Sequence, residues 1–362
     1  MFIPKAQVAA VVSAPRTKPE ITKNYPVKPK SELAPGQCLV KLSCTGVCHT
    51  DLHASKDDWP LTAEKPLVGG HEGVGEIVAI GDHTMHSPVR VGQRVGVKWV
   101  AYSCLACEHC RKGLEQNCLN ALFSGFTVEG TFCQYVVSWV LHVTPIPDSL
   151  DSFAAASILC AGLTIYRALK YSGAGIGDWV VLPGASGGLG HLAIQYAKAM
   201  GLRVLAIDTG AEKKQLCHEL GAARWIDYRE TSDLVKVVKE ACDELGAHCA
   251  IVTANDSSGY RQAVDYLRRG GTLMAVGLPG HAPLEASTFW TVVKRSSGPF
   301  QSICIKGSYV GNRQDAIEAL DIAAHGTVKV KYEVRGLSEL QEVYDCLEQG
   351  KVAGRIVLDT SK

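Results

Sequence analysis

From about residue 160 onward, the apolar positions of the chain follow two alternating periods. Trp179 to Pro183 is an unbroken apolar run, followed by a glycine cluster, an amphipathic stretch from His191 to Met200 closed by Gly201, and a second run, Arg203 to Ile207, ending at Asp208. The same alternation predicts a helix over Glu212–Leu220 closed by Gly221, a strand over Arg224–Ile226, a helix over Asp233–Leu245 and a strand over His248–Thr253. A helix over Tyr260–Arg269 and a strand over Thr272–Val276 complete it. Short apolar runs separated by stretches of helical period imply parallel strands joined by crossover helices, hence a doubly wound α/β sheet. Before residue 160 the texture differs. Short β-rich runs (Cys38–Leu42, Gly75–Ala79, Arg94–Trp99, Gln134–Val137) are broken by Gly, Pro and Asn, as in an irregular, mostly antiparallel β domain.

Length and composition narrow the class. A chain of 362 residues favours two domains, and 46% hydrophobic with 20% charged residues is the balance of an ordinary globular enzyme. A net charge of +1 gives no electrostatic reason to expect nucleic acid or an anionic membrane as partner. Met1 to Val12 lacks the marks of a targeting segment, and no later window is expected to reach the length needed to span a bilayer. The cytoplasm is therefore the expected compartment. There, the fourteen cysteines are expected to be thiols or metal ligands.

Four of them have a ligand spacing: Cys104, Cys107, Cys110 and Cys118. That pattern brings four thiolates to one point, as tetrahedral Zn²⁺ in a closed structural site requires. A cysteine-rich surface loop or a pair of disulfides is the competing interpretation. A nucleic-acid-binding zinc module is disfavoured, because paired CxxC units, terminal His ligands and basic surroundings are missing.

The segment Gly184-Ala185-Ser186-Gly187-Gly188-Leu189-Gly190 lies between a strand and a helix, where a dinucleotide fingerprint belongs. Its glycines let a pyrophosphate approach the backbone at a helix N-terminus and let the helix pack closely on the strand. Asp208, eighteen residues beyond Gly190 at a strand end, is the expected acceptor for the adenosine-ribose hydroxyls. A carboxylate there repels a 2′-phosphate, so NAD rather than NADP is expected.

A second constellation lies earlier. Cys48, His49, Thr50, Asp51 and His53 fall within six residues; His71 and Glu72 follow in a glycine-flanked turn, and Cys160 falls near the change of texture. Taken singly, each would more often be structural. Two cysteines and a histidine with a fourth position open make a recognised catalytic zinc set.

The motifs GVCHTDLHA (46–54), PLVGGHEG (66–73), SCLACEHC (103–110), ILCAGLT (158–164), GGLGHLAIQYAKAMG (187–201), GSYVGNR (307–313) and GR (354–355) extend over nearly the whole chain. In these the chain resembles the zinc-dependent medium-chain alcohol dehydrogenases, most of all the tetrameric yeast and fungal ones. The resemblance implies a GroES-like catalytic domain (1–160 and 312–362), a Rossmann NAD-binding domain (161–311), two Zn²⁺ per chain and a homotetramer. It further implies Cys48, His71 and Cys160 as catalytic zinc ligands, with Glu72 behind the metal and Asp51 orienting His71. By the same match Thr50 and His53 form a proton relay, and His49 and Arg355 bind phosphate. Thr164 neighbours the nicotinamide, and Lys213 contacts the adenosine ribose. Trp59, Trp99 and Leu278 match pocket residues that restrict the substrate to short primary alcohols and their aldehydes.

The chain departs from the yeast pattern at an insertion around residues 295–301 and a slightly longer loop at 82–91. A zinc-free quinone reductase has no need of Cys48, His71 and Cys160. A noncatalytic dinucleotide binder has no need of Thr50 and His53, and a polyol dehydrogenase needs a wider pocket.

Overall fold

In the computed structural model, residues 2–253, 258–278, 302–352 and 354–362 are described. The insertion around residues 295–301 lies outside them. The chain divides into two compact units, Met1–Leu163 with Val310–Ala324 and Val330–Lys362, and Thr164–Tyr309 with His325–Lys329.

The first unit is built on a seven-stranded sheet. Its main path runs Thr144–Pro145, Arg94–Val97, Gly73–Ile80, Gln37–Val47, Arg355–Asp359, Tyr332–Gly336, with Tyr135–Trp139 also paired to Gln37–Val47. Every pairing is antiparallel except Tyr332–Gly336 with Arg355–Asp359. Alternate residues of these strands, among them Val40, Ile77, Val95 and Leu358, point into one apolar core. The sheet register places the site. Thr45 pairs with Gly73, and Val357 with Gly46, so the end of Gln37–Val47 lies between the starts of two neighbouring strands.

Among the described residues, the second unit carries six parallel strands in the order Arg224–Asp227, Arg203–Asp208, Trp179–Pro183, Ala247–Val252, Leu267–Ala275, Cys304–Gly307. This is the doubly wound order whose direction reverses beside Trp179–Pro183. Ligands of such sheets bind outside the carboxyl ends of the strands at that reversal. The strands Val180–Leu182 and Leu205–Ala206 are wholly inaccessible to solvent, as burial on both faces requires.

Two helices differ from expectation. Asp233–Leu245 is helical only over Leu234–Ala241, because Asp243 and Glu244 take left-handed backbone conformations. Asp243 instead accepts hydrogen bonds from Trp179 Nε1 (3.0 Å) and Arg203 (2.7 Å). Tyr260–Arg269 becomes Ser258–Tyr266, and the next strand already begins at Leu267, which pairs with Ala247.

The expectation that no segment reaches bilayer length is corrected. Ser152–Lys170 is a continuous 19-residue helical segment with mean hydropathy 1.5, which meets that length and apolarity. It is formed by Ser152–Ser157, one π-helical stretch Ile158–Gly162 and Leu163–Lys170, and 83% of its apolar window is buried inside the protein. Its apolarity serves the core.

Candidate metal centres and coenzyme turn

Cys48 follows the long strand Gln37–Val47 of the first unit and caps the helix His49–Lys56. Asp51, in the first turn of that helix, accepts the Cys48 backbone N–H with Oδ2 (2.9 Å), and its Oδ1 lies 2.7 Å from His71 Nδ1. With Nδ1–H given to a carboxylate, the His71 ring presents the Nε2 lone pair. Nε2 lies 3.2 Å from Cys160 Sγ, and Cys160 Sγ lies 3.9 Å from Cys48 Sγ. The ligand atoms of Cys48, His71, Glu72 and Cys160 all fall within 4.8 Å of one another, and all four residues are buried. Cys160 reaches this point from the π-helical stretch, a local widening that recurs at functional sites.

The Glu72 carboxylate is ion-paired with Arg355, the first residue of its strand, and both are buried. Glu72 enters because residue 46 is glycine; a Cβ at Gly46 would collide with its Oε2. That oxygen and Arg355 Nε have no hydrogen-bond partner among the described residues. Buried polar atoms left in this way mark a place for another group.

The hydrogen bond from Cys160 holds the Cys48 thiol well below its ordinary range and pushes Cys160 up. Burial works against a charged His71, yet the Asp51 carboxylate raises its pKa well above that of a free imidazole. Burial pushes Glu72 up to about 7 against the opposing pull of Arg355. Two sulfurs, one oriented imidazole and a nearby carboxylate fit a catalytic zinc, for which Cys2His with an open position is suited.

The other candidate residues of this unit fall around the cluster. His49 is exposed at the start of the helix and Thr50 is half-buried beside it. His53 Nδ1 lies 2.7 Å from Asp58 Oδ1, and its ring stacks on Trp59 with centroids 5.1 Å apart. Trp99 meets His71 edge-on at 5.2 Å and is held by Phe123 and Phe126. Asp58, Phe123 and Phe126 were not singled out from the sequence; none has a motif, and only the fold brings them to the site.

The cysteine lobe is bracketed by the paired strands Val100–Tyr102 and Leu122–Phe123. Sγ of Cys104 lies 3.5 Å from that of Cys118 and 4.0 Å from that of Cys110. A tetrahedron with Zn–S near ~2.3 Å has S···S edges of about 3.8 Å, whereas a disulfide bond is about 2.05 Å. The cysteines are free thiols, and the spacing excludes the disulfide alternative and fits zinc. Backbone N–H groups of Ala106 and Cys107 lower the Cys104 thiol to about 6, whereas burial pushes the Cys110 thiol up to about 12.

In the second unit, Gly184 and Ala185 donate to the Ile207 carbonyl and so fix the turn between Trp179–Pro183 and the helix Gly190–Ala199. Gly190 is required, since a Cβ there would collide with the Gly184 carbonyl; at Gly187 the space is nearly open. Gly188 and Leu189 complete the turn at the helix N-terminus, which is suited to a pyrophosphate. Asp208 Oδ2 accepts from Ser186 N (3.1 Å) and Oγ (2.6 Å), and Oδ1 accepts from Thr209 N (2.9 Å) and Lys213 Nζ (3.0 Å). Asp208 therefore caps no helix. The helix Ala211–Leu220 begins at Gly210 without a side-chain cap. Thr164, in this unit, is buried, and Leu278 is 58% exposed.

A metal site of this composition and a dinucleotide turn at the reversal of a parallel sheet define a zinc-binding dehydrogenase. Residues 34–148 match the alcohol dehydrogenase GroES-like domain, and residues 188–325 the zinc-binding dehydrogenase domain. The chain is 48% identical over 361 residues to alcohol dehydrogenase 1 of Neurospora crassa, covering 99% of both. It is 46% identical over 362 residues to an alcohol dehydrogenase of Schizosaccharomyces pombe, covering 100% of both. Among solved structures, the alcohol dehydrogenase of the archaeon Aeropyrum pernix superposes with a TM-score of 0.85 at 29% identity, over 97% of this chain and 99% of that one. The chain belongs to the zinc-binding medium-chain alcohol dehydrogenase family.

Proposed function

We propose that this enzyme interconverts short primary alcohols and their aldehydes with NAD, using one catalytic and one structural zinc per chain. The observation that carries this reading is the buried Cys48–His71–Cys160 cluster, its imidazole oriented by Asp51. Those three residues would hold the catalytic zinc; Cys104, Cys107, Cys110 and Cys118 would hold the structural one. When bound, the zinc supplies a Lewis acid that lowers the pKa of an alcohol hydroxyl or polarises an aldehyde, and NAD supplies the hydride acceptor.

The protein residues do the rest. Thr50 Oγ1 takes the hydroxyl proton, and His53 passes it to solvent while Asp58 fixes the ring through Nδ1. Glu72, kept in place by Arg355, sets a negative charge behind the ligands. Asp208 and Lys213 orient the adenosine ribose and the turn at Gly187–Gly190 admits the pyrophosphate, for which the family resemblance offers His49 and Arg355 as further phosphate-binding positions. Thr164 bounds the nicotinamide. Holding two reactants in near-attack geometry can lower the barrier of such a reaction by about 7–11 kcal/mol.

Trp99, wedged between His71 and the Phe123–Phe126 pair, removes volume beside the cluster, and Trp59 removes more beside His53. Such narrowing favours ethanol-sized substrates, and the family resemblance adds Leu278 to the pocket residues. The catalytic domain comprises 1–160 and 312–362, and the NAD domain 161–311. Free thiols throughout the described chain support a reducing, cytoplasmic setting, and the family resemblance supports a homotetramer. A panel of alcohols with NAD tests the reading. Activity falls from ethanol to longer and to secondary alcohols; a higher kcat/KM on 2-butanol or benzyl alcohol than on ethanol would contradict it.

A further inference from the structure

The strand Arg224–Asp227 runs parallel to Arg203–Asp208, and the register sets Asp227 directly beside Asp208. Both strands end in a carboxylate, and both carboxylates turn to the same loop. Asp227 Oδ1 accepts the N–H of Arg229 (2.9 Å) within its own turn. Its Oδ2 reaches across to the neighbouring strand, where it accepts the Gly210 N–H (2.9 Å) and the Thr209 hydroxyl (3.1 Å).

The donors of this corner are thereby divided between two anions. Asp208 takes Ser186 N and Oγ, Thr209 N and Lys213 Nζ; Asp227 takes Gly210 N and Thr209 Oγ1. A 2′-phosphate carries nearly two negative charges and needs such N–H, O–H and ammonium donors. Removing Asp208 would release Lys213 and the Ser186 groups. It would leave Gly210 N and Thr209 Oγ1 committed, and would leave a second negative charge one strand away, about 5 Å in a sheet. The Gly210 N–H also holds the Asp227 carboxyl below its ordinary range, so the charge persists at neutral pH.

We infer that Asp227 is a second determinant of coenzyme choice, which excludes a 2′-phosphate by occupying the Thr209–Gly210 donors and by its charge, independently of Asp208. This rests on the assignment of the corner to the adenosine ribose. It predicts that Asp208→Ser alone loses NAD without gaining NADP, and that the gain requires Asp227 to be neutralised as well.

The test is direct binding of NADH and NADPH, followed by coenzyme fluorescence, to the zinc-loaded wild type, Asp208→Ser, Asp227→Asn and the double variant. Asp208→Ser should weaken NADH binding with NADPH still weak. Asp227→Asn alone should keep NADPH weak, because Asp208 remains. The double variant should bind NADPH about tenfold more tightly than Asp208→Ser, the order of effect of hydrogen bonds to a charged group. A turn merely loosened by losing Asp227 would weaken both coenzymes together, leaving their ratio unchanged. If Asp208→Ser weakens NADH but the double variant binds NADPH no better than Asp208→Ser, the role of Asp227 is overturned while the ribose assignment stands. If Asp208→Ser leaves NADH binding unaltered, the ribose assignment fails and this inference with it. Should the Asn double variant not fold, Asp227→Ser in the same background is judged by the same NADPH-to-NADH ratio.

Discussion

Asp51 serves two neighbours at once. One oxygen closes the first turn of the helix His49–Lys56 on Cys48, and the other fixes the tautomer and plane of His71. A single buried carboxylate thus links the backbone carrying one ligand to the side chain of another. Replacing it with Asn keeps the shape but puts an amide where a carboxylate accepted the imidazole N–H. Loss of such a partner lowers metal affinity by about 10–100-fold. Asp51→Asn is accordingly expected to release its catalytic zinc at a correspondingly lower chelator concentration in a competition titration, while the cysteine lobe keeps its metal; unchanged affinity would exclude the orienting role. The motif around Cys48 made Asp51 legible in the sequence. Asp58 was not, because its place beside His53 depends on how the chain turns after the helix, and Ser186 was legible only as part of a glycine turn rather than as the donor to Asp208.

At the level of elements, the second unit was the more legible. Strands buried on both faces read as unbroken apolar runs, and Trp179–Pro183 falls where the pattern puts it. The helix expected to reach Leu245 failed because Asp243 gains more from Trp179 and Arg203 than from helical geometry, a tertiary effect no periodicity carries. The helical segment around Cys160 was obscured as a span, since its length emerges only when three helical pieces join end to end. The support of the cysteine lobe was not legible either. His142 Nε2 accepts the Ser103 N–H at 2.9 Å, one residue before Cys104, and burial together with Lys98 and Arg313 depresses the imidazole to about 3 from an ordinary 6.5. Between those values the unfolded chain binds the proton and the folded one does not, so stability falls as pH drops below 6.5. At pH 5 the loss from this group is about 2 kcal/mol. His142→Gln removes it. Urea unfolding at pH 7 and pH 5 should show the wild type losing about that much more than the variant on acidification; equal losses would refute the assignment.

For the whole molecule, the two metal positions differ in kind. The lobe offers four sulfurs and closes a tetrahedron; the cluster at Cys48 offers two sulfurs and one imidazole, with Glu72 beside them. A closed site belongs to folding and an open one to reaction. One measurement separates the two roles: zinc content, NADH formation from ethanol and far-ultraviolet circular dichroism, followed on the same sample during stepwise chelation. The prediction is two zinc ions per chain at the start, loss of activity with the first to leave, and an unchanged spectrum until the second departs. Full activity in protein holding one zinc or none, or no NADH from any primary alcohol when both are present, would contradict it.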